Sequence, residues 1–347
     1  MVIMYLYIFM TISDVFSGLI REKNIKIFLN KMTMRKTSSI VVIVILLLVS
    51  FSGLFTGCVS RESLVYDGQK RTYVIHLPAS NNSSESYPLV LVLHGGGGNA
   101  ANAERMTGFS KKADEEGFIV VYPEGSGRFK RILLTWNGGF CCEYALEHNI
   151  DDVGFIRALI EEMNNMYSIN TSMIYITGMS NGAIMAYRLG AELSDLVAAV
   201  GPVAGSIGGK ATEDSPLWVI PDPEYPVSVI SFNGVLDHRV PYDGGCPTAN
   251  YTKGAYCYMS VNESIAFWVY HDNCSQIPYI NVSESGNIIV TSYMNGEKGT
   301  EVVLYTIVNG GHAWPGGEKG TRRGDEPTQE ISATDILWEF FKTHPKQ

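Results

Sequence analysis

The stretch Met173-Ile174-Tyr175-Ile176-Thr177-Gly178-Met179-Ser180-Asn181-Gly182-Ala183-Ile184-Met185-Ala186-Tyr187-Arg188-Leu189 decides the fold. Its opening five residues have the length and β-branched character of a buried strand, and its last seven have the spacing of a helix. Between them, residues 178–182 match G-x-S-x-G. A turn from strand to helix this short forces the serine into a strained backbone conformation and leaves no room for bulk two positions to either side. The bare pattern arises easily by chance in a chain with 35 glycines, so the flanking strand and helix are what give it weight.

Outward from this turn the same alternation recurs. Apolar runs predict strands over 71–77, 88–94, 117–122, 173–177 and 227–232, with a further apolar run at 302–308. Helical periodicity predicts 100–116, 152–166, 182–193, 261–271 and a closing helix at 332–342, with Asp151 or Asp152 capping the second. Short buried strands alternating with helices imply an α/β fold, a mostly parallel sheet covered on both faces. Two stretches break the rhythm, 208–226 with its prolines and 243–260 rich in Gly, Tyr and Cys. They are expected to form a small irregular lid or cleft rim, although the second reads equally well as a plain surface loop.

A serine hydroxyl is a weak nucleophile until a base takes its proton. Among the seven histidines, His312 lies on a glycine-flanked loop straight after an apolar run, in Asn309-Gly310-Gly311-His312-Ala313-Trp314-Pro315-Gly316, and is the candidate base. Asp237, after the strand at 227–232, is the candidate carboxylate that orients the imidazole, with Asp222 and Asp243 as rivals. The order Ser180, Asp237, His312 is that of α/β-hydrolases. The run His94-Gly95-Gly96-Gly97-Gly98 follows a strand directly, so the backbone N–H groups of Gly96 and Asn181 are the candidate oxyanion hole. His94 is expected to shape that loop. A phosphate loop is disfavoured because no Gly-Lys-Ser/Thr ending follows.

The amino end reads as an address. Arg35-Lys36, the apolar run 40–49 and the ending Thr56-Gly57-Cys58 form a signal peptide over 34–57, with Cys58 as a lipidated first residue. The alternative is an uncleaved membrane anchor, since 40–57 approaches the ~20 residues that span a bilayer. Residues 1–33 fit poorly before such a signal and are taken as a doubtful extension; 58–70 is expected to be a linker and 71–347 one hydrolase domain. Both readings put the domain outside the cytoplasm, tethered to the membrane through its N-terminus alone.

Without residues 1–57 the chain carries 20 basic against 33 acidic residues, a net charge of −13, so it has no electrostatic footprint for nucleic acid. The six cysteines show no paired C-x-x-C spacing, which argues against structural zinc. For an exported chain disulfides are expected instead, Cys246 with Cys257 first and Cys274 with Cys141 or Cys142.

Taken together, HGGGGN, VYPEG, TWN followed by CC, DDVGF, GMSNG, LDHRVPYDGG and NGGHAWPG resemble the polyhydroxybutyrate-depolymerase/feruloyl-esterase family over most of the chain from Tyr73 onward. The resemblance implies an α/β-hydrolase fold and carboxylic-ester hydrolysis, with Ser180 as nucleophile, Asp237 as acid and His312 as base. It implies no metal or organic cofactor, and a small-molecule or polymeric ester as partner. Trp136 and Trp314 sit in matching motifs and are expected to line the acyl pocket. Asn233 and Ala183 depart from the family pattern, where His and Gly are usual, and are expected to alter the cleft floor. Two other classes stay open: a serine peptidase of the prolyl-oligopeptidase type, and a non-catalytic surface protein that binds wall polymer.

Overall fold

The structure, a computed structural model, describes residues 58–79, 86–129, 132–247, 256–322 and 324–347. The expected extension at 1–33 and the signal or anchor at 34–57 lie outside the described residues.

The described chain opens with a hairpin, β1 (Cys58–Tyr66) and β2 (Gln69–Leu77), followed by β3 (Tyr87–Leu93), α1 (Ala100–Thr107), α2 (Phe109–Glu116) and β4 (Ile119–Pro123). A short α3 (Glu143–Glu147) precedes α4 (Asp152–Met166), β5 (Ile169–Met179), α5 (Asn181–Glu192) and β6 (Ala199–Val203). Then come β7 (Gly208–Lys210), β8 (Trp218–Val219), β9 (Ser228–Gly234), β10 (Cys257–Tyr258) and α6 (Val261–His271). The chain closes with β11 (Tyr279–Val282), β12 (Ile288–Tyr293), β13 (Val302–Ile307) and α7 (Ala333–Thr343).

Ten strands form one sheet in the order β1-β2-β4-β3-β5-β6-β9-β13-β12-β11. From β4 to β13 they run parallel, and antiparallel strands close both edges. This is the α/β-hydrolase arrangement expected from the sequence. Side-chain alternation builds a core on each face. Leu89, Leu91 and Leu93 point toward Phe155, Leu159 and Met163 of α4, Met185 and Leu189 of α5, and Trp268 of α6. Val90 and Val92 point the other way, toward Ala103 of α1, Phe109 of α2, and Leu337 and Phe341 of α7. Both faces of β3 are therefore dry, which is why it reads as an unbroken apolar run.

Four expectations need correction. The helix at 100–116 is two helices, because Gly108 adopts a left-handed conformation (φ 69°) that ends α1, its N–H donating to the Glu104 carbonyl. Much of the 58–70 linker is a strand: β1 pairs along its whole length with β2 across the turn Asp67-Gly68, both residues with positive φ. The irregular stretches 208–226 and 243–260 are joined, contributing β7, β8 and β10 to a second, three-stranded sheet.

The fourth concerns the cysteines. Cys246 and Cys257 are bridged as expected, but Cys141 and Cys142 are bonded to each other. Cys274 is a buried free thiol just beyond α6 and packs in the main core, whereas Cys141 and Cys142 belong to a separate apolar cluster.

Candidate active site

Adjacent parallel strands deliver their following loops to one edge of the sheet, the usual place for a ligand site in this architecture. Here β5, β6, β9 and β13 are neighbours, with Met179 beside Val203, Val203 beside Phe232, and Gly234 beside Ile307. Ser180 follows β5, Asp237 follows β9 and His312 follows β13, so all three arrive at that edge.

Ser180 has φ 59° and ψ −123°, a strained conformation for a residue with a side chain. Its N–H donates to the Val203 carbonyl at 2.9 Å, and its own carbonyl accepts from Ala183 and Ile184 at 2.8 and 3.0 Å. The turn is thus held by the neighbouring strand on one side and by α5 on the other. A Cβ on Gly178 would fall 2.7 Å from the Gly182 carbonyl oxygen, and one on Gly182 would fall 2.6 Å from the carbonyl oxygens of Leu93 and His94. The sequence motif is a packing requirement: the turn has no volume for side chains there.

His312 Nδ1 lies 2.7 Å from Asp237 Oδ2, and both side chains are buried. The other carboxylate oxygen, Oδ1, accepts from the backbone N–H groups of Arg239 and Val240 at 2.8 and 3.0 Å. Asp237 is fixed from both oxygens, and an imidazole bonded at Nδ1 presents Nε2 as its free base. The rivals lie elsewhere: Asp222 is largely exposed and faces His271 at 3.2 Å, and Asp243 is exposed. Sequence reasoning missed Asp325, whose Oδ2 accepts from the His312 backbone N–H at 2.7 Å and ties the histidine loop to a later turn.

Ser180, Asn181, Gly96 and Gly97 open into a cleft of ≈ 590 Å³. One wall is apolar, formed by the Cys141–Cys142 disulfide, Ile184, Tyr256 and Tyr258. Charged groups also line it, with Arg128 and Arg239 as cations and Glu143 and Glu147 as carboxylates, and His238 lies among them. Burial, and then the nearby Glu147, push the Glu143 carboxyl above its ordinary range. Among the described residues no group of three or more His, Cys, Asp or Glu is placed to hold a metal ion.

Neither tryptophan singled out from the sequence lines this cleft. Trp136 and Trp314 are 0% and 1% exposed, and their indole N–H groups donate to the His94 carbonyl and to Thr334 Oγ1, each at 3.0 Å. Both are committed to the core, and the pocket wall comes from residues 141, 142, 184, 256 and 258 instead. The two departures from the family pattern are also away from the cleft. Asn233 is buried and donates to Ser231 Oγ at 2.7 Å, and Ala183 packs inside α5.

His94 lies under the glycine loop and is fully buried. Gly125 N–H donates to its Nε2 at 3.0 Å, which puts the proton on Nδ1, 2.8 Å from the Gly95 carbonyl. Desolvation holds this imidazole neutral, its pKa pushed down to about 4.

A family model described as esterase PHB depolymerase matches residues 71–220. NocK of Nocardia uniformis subsp. tsuyamanensis, a protein named as an esterase, is 30% identical over 270 residues, 74% of each chain. The chain belongs to the polyhydroxybutyrate-depolymerase/feruloyl-esterase family. This esterase is also similar to feruloyl esterase B of Piromyces equi, 28% identical over 250 residues. That match spans 72% of this chain and 44% of the relative, so the esterase accounts for less than half of the Piromyces protein. Among solved structures, the acetyl xylan esterase from Aspergillus awamori superposes with a TM-score of 0.54 at 15% identity, covering 82% of the esterase and 99% of that chain. At that identity the likeness speaks for the fold.

Proposed function

We propose that this esterase works outside the cytoplasm through a Ser-His-Asp triad and a covalent acyl-enzyme. Ser180 attacks the ester carbonyl carbon while His312 Nε2 takes the hydroxyl proton, and Asp237 stabilises the imidazolium that forms. The backbone N–H groups of Gly96 and Asn181 receive the oxyanion, in a site where they have no competing hydrogen bond among the described residues. Collapse of the tetrahedral adduct breaks the C–O bond, and the alcohol leaves with the proton from His312. Water then attacks the acyl-enzyme with His312 again as base, releasing the acid and restoring Ser180. The observation that carries this reading is the 2.7 Å His312–Asp237 contact at the same strand edge as the left-handed Ser180.

The substrates are feruloyl- or acetyl-type esters of plant polysaccharide, or polyhydroxyalkanoate esters. The family match and the names of the relatives support this range, and the apolar wall with Tyr256 and Tyr258 suits an aromatic or aliphatic acyl group. The basic, apolar and small-Gly-Cys sequence of 34–58 supports export, with the membrane tether at Cys58.

The test is turnover of methyl ferulate, acetylated xylan, hydroxybutyrate oligomers and a proline-containing peptide amide by the full chain. Ester hydrolysis without amide hydrolysis supports the proposal, and the ranking of esters names the substrate. Hydrolysis of the amide alone would transfer the site to a peptidase.

A further inference from the structure

The Asn181 side chain does something its motif does not explain. Its carboxamide pairs with both backbone polar groups of one residue: the Trp136 N–H donates to Oδ1 at 2.7 Å, and Nδ2 donates to the Trp136 carbonyl at 2.9 Å. This is the bonding of a strand partner, made by a side chain.

Trp136 in turn reaches the glycine loop. Its indole N–H donates to the His94 carbonyl at 3.0 Å, its ring packs on the His94 imidazole with centroids 5.0 Å apart, and Gly97 N–H donates to the nearby Leu134 carbonyl at 2.8 Å. His94 ties back to Gly95 through Nδ1. Asn181, Trp136 and His94 are each nearly or fully buried, so water does not compete for these bonds. The far side of the segment is anchored as well. Asn137 N–H donates to Asp152 Oδ2 at 2.8 Å, and Asp152 Oδ1 accepts from the buried Arg71 at 2.6 Å.

We propose that Asn181 and Trp136 are positioning residues that brace the two halves of the oxyanion hole against each other. The inference rests on the triad reading above. One N–H of the hole belongs to the serine turn and the other to the glycine loop, segments far apart in sequence. Their separation must match the transition-state oxyanion, and misplacement by about 1 Å costs on the order of 100-fold in rate. The Trp136 segment is bonded to both: to the serine turn through the Asn181 carboxamide and to the glycine loop through its indole.

The test compares Trp136→Phe and Asn181→Ala in the full chain with a control, Trp268→Phe. Trp268 is equally buried, but its indole N–H has no hydrogen-bond partner among the described residues, and it projects from α6 onto Tyr187 and Gly190 of α5 rather than onto the hole. Measured quantities are kcat, KM and thermal midpoint on p-nitrophenyl butyrate, affinity for butylboronic acid as a tetrahedral mimic, and fluorophosphonate labelling of Ser180.

Trp136→Phe is expected to lower kcat about tenfold and Asn181→Ala about 100-fold, with KM within about threefold of wild type. Boronate affinity should weaken in step with kcat/KM, while Trp268→Phe stays within about twofold in all kinetic quantities. Higher KM at unchanged kcat, or equal losses in the control, would overturn the brace. Folded Trp136→Phe with wild-type kcat and boronate affinity would overturn it too. A wild type whose Ser180 never labels would remove the triad reading and the brace together; labelled wild type with unaffected variants would remove the brace alone.

Discussion

His312 and Asp237 meet at 2.7 Å although they are delivered by different loops, because the strands before those loops lie side by side and in register from Val302–Val229 to Ile307–Gly234. With Asp237 Oδ1 held by the backbone N–H groups of Arg239 and Val240, the carboxylate has one orientation to offer, and the imidazole meets its Oδ2 through Nδ1. Asp237→Asn keeps the shape but presents an N–H donor or a neutral acceptor in place of the anion. We expect kcat for p-nitrophenyl butyrate to fall by about 10⁴ with little change in KM, as for other triads deprived of their carboxylate. A loss below tenfold would move the orienting role to another group.

The serine turn should be intolerant of any side chain at Gly182. A methyl there meets two carbonyl oxygens at 2.6 Å, and both belong to strand-end backbone that is held by the sheet. Gly182→Ala should lower stability by about 1–3 kcal/mol or prevent folding, read by denaturant titration. A variant as stable as wild type would mean that the turn relaxes more than its hydrogen bonds allow.

Acid should loosen the glycine loop through His94. Its folded pKa of about 4 lies below the ordinary 6.5, so between these values the unfolded chain binds the extra proton. His94 therefore contributes its full share of stability above pH 6.5, and that share is lost as pH falls toward 4, at up to about 1.4 kcal/mol per pH unit. Asp272 works in the opposite sense, since burial pushes its carboxyl up to about 8. The His94 share is read as the difference in unfolding free energy between wild type and His94→Gln from pH 7 to 4. That difference should shrink on acidification, and a pH-independent difference would contradict the buried neutral imidazole.

The Cys246–Cys257 bridge flanks the cleft wall, with Pro247 at one end and Tyr256 and Tyr258 at the other. Chain-entropy arguments put its worth near 3 kcal/mol for a loop of this length. Cys246→Ala with Cys257→Ala should lower the thermal midpoint and weaken binding of bulky esters more than of acetate. Equal kinetics on all esters would separate this loop from substrate binding.

Much of this was legible in the sequence because the chemistry constrains it locally. The serine turn announces itself through glycines that a short strand–helix junction requires, and the histidine through its place at the end of an apolar run. What was hidden depends on contacts between distant segments. β6 escaped notice because Gly201 and Pro202 sit in a central strand, where local preference argues against one. The Asp67-Gly68 hairpin turn was present in the sequence as a two-residue signal between alternating runs, and it could have revealed β1. Trp136 and Trp314 were misplaced because a motif tryptophan near a serine turn reads the same whether its ring faces the cleft or the core. Only the partners of the two indole N–H groups decide. The same holds for Asn181, whose carboxamide partner lies on a segment that no periodicity connects to it.

The central claim is that Ser180 is the nucleophile and carries the acyl group. Wild-type full chain and Ser180→Ala would each be mixed with p-nitrophenyl butyrate, quenched in acid and digested for peptide mass mapping, alongside fluorophosphonate labelling. The account predicts a butyryl adduct and a phosphonyl label on Ser180 in the wild type, and neither label nor turnover in the variant. Turnover that survives in a folded Ser180→Ala chain, or an adduct on another residue, would contradict it.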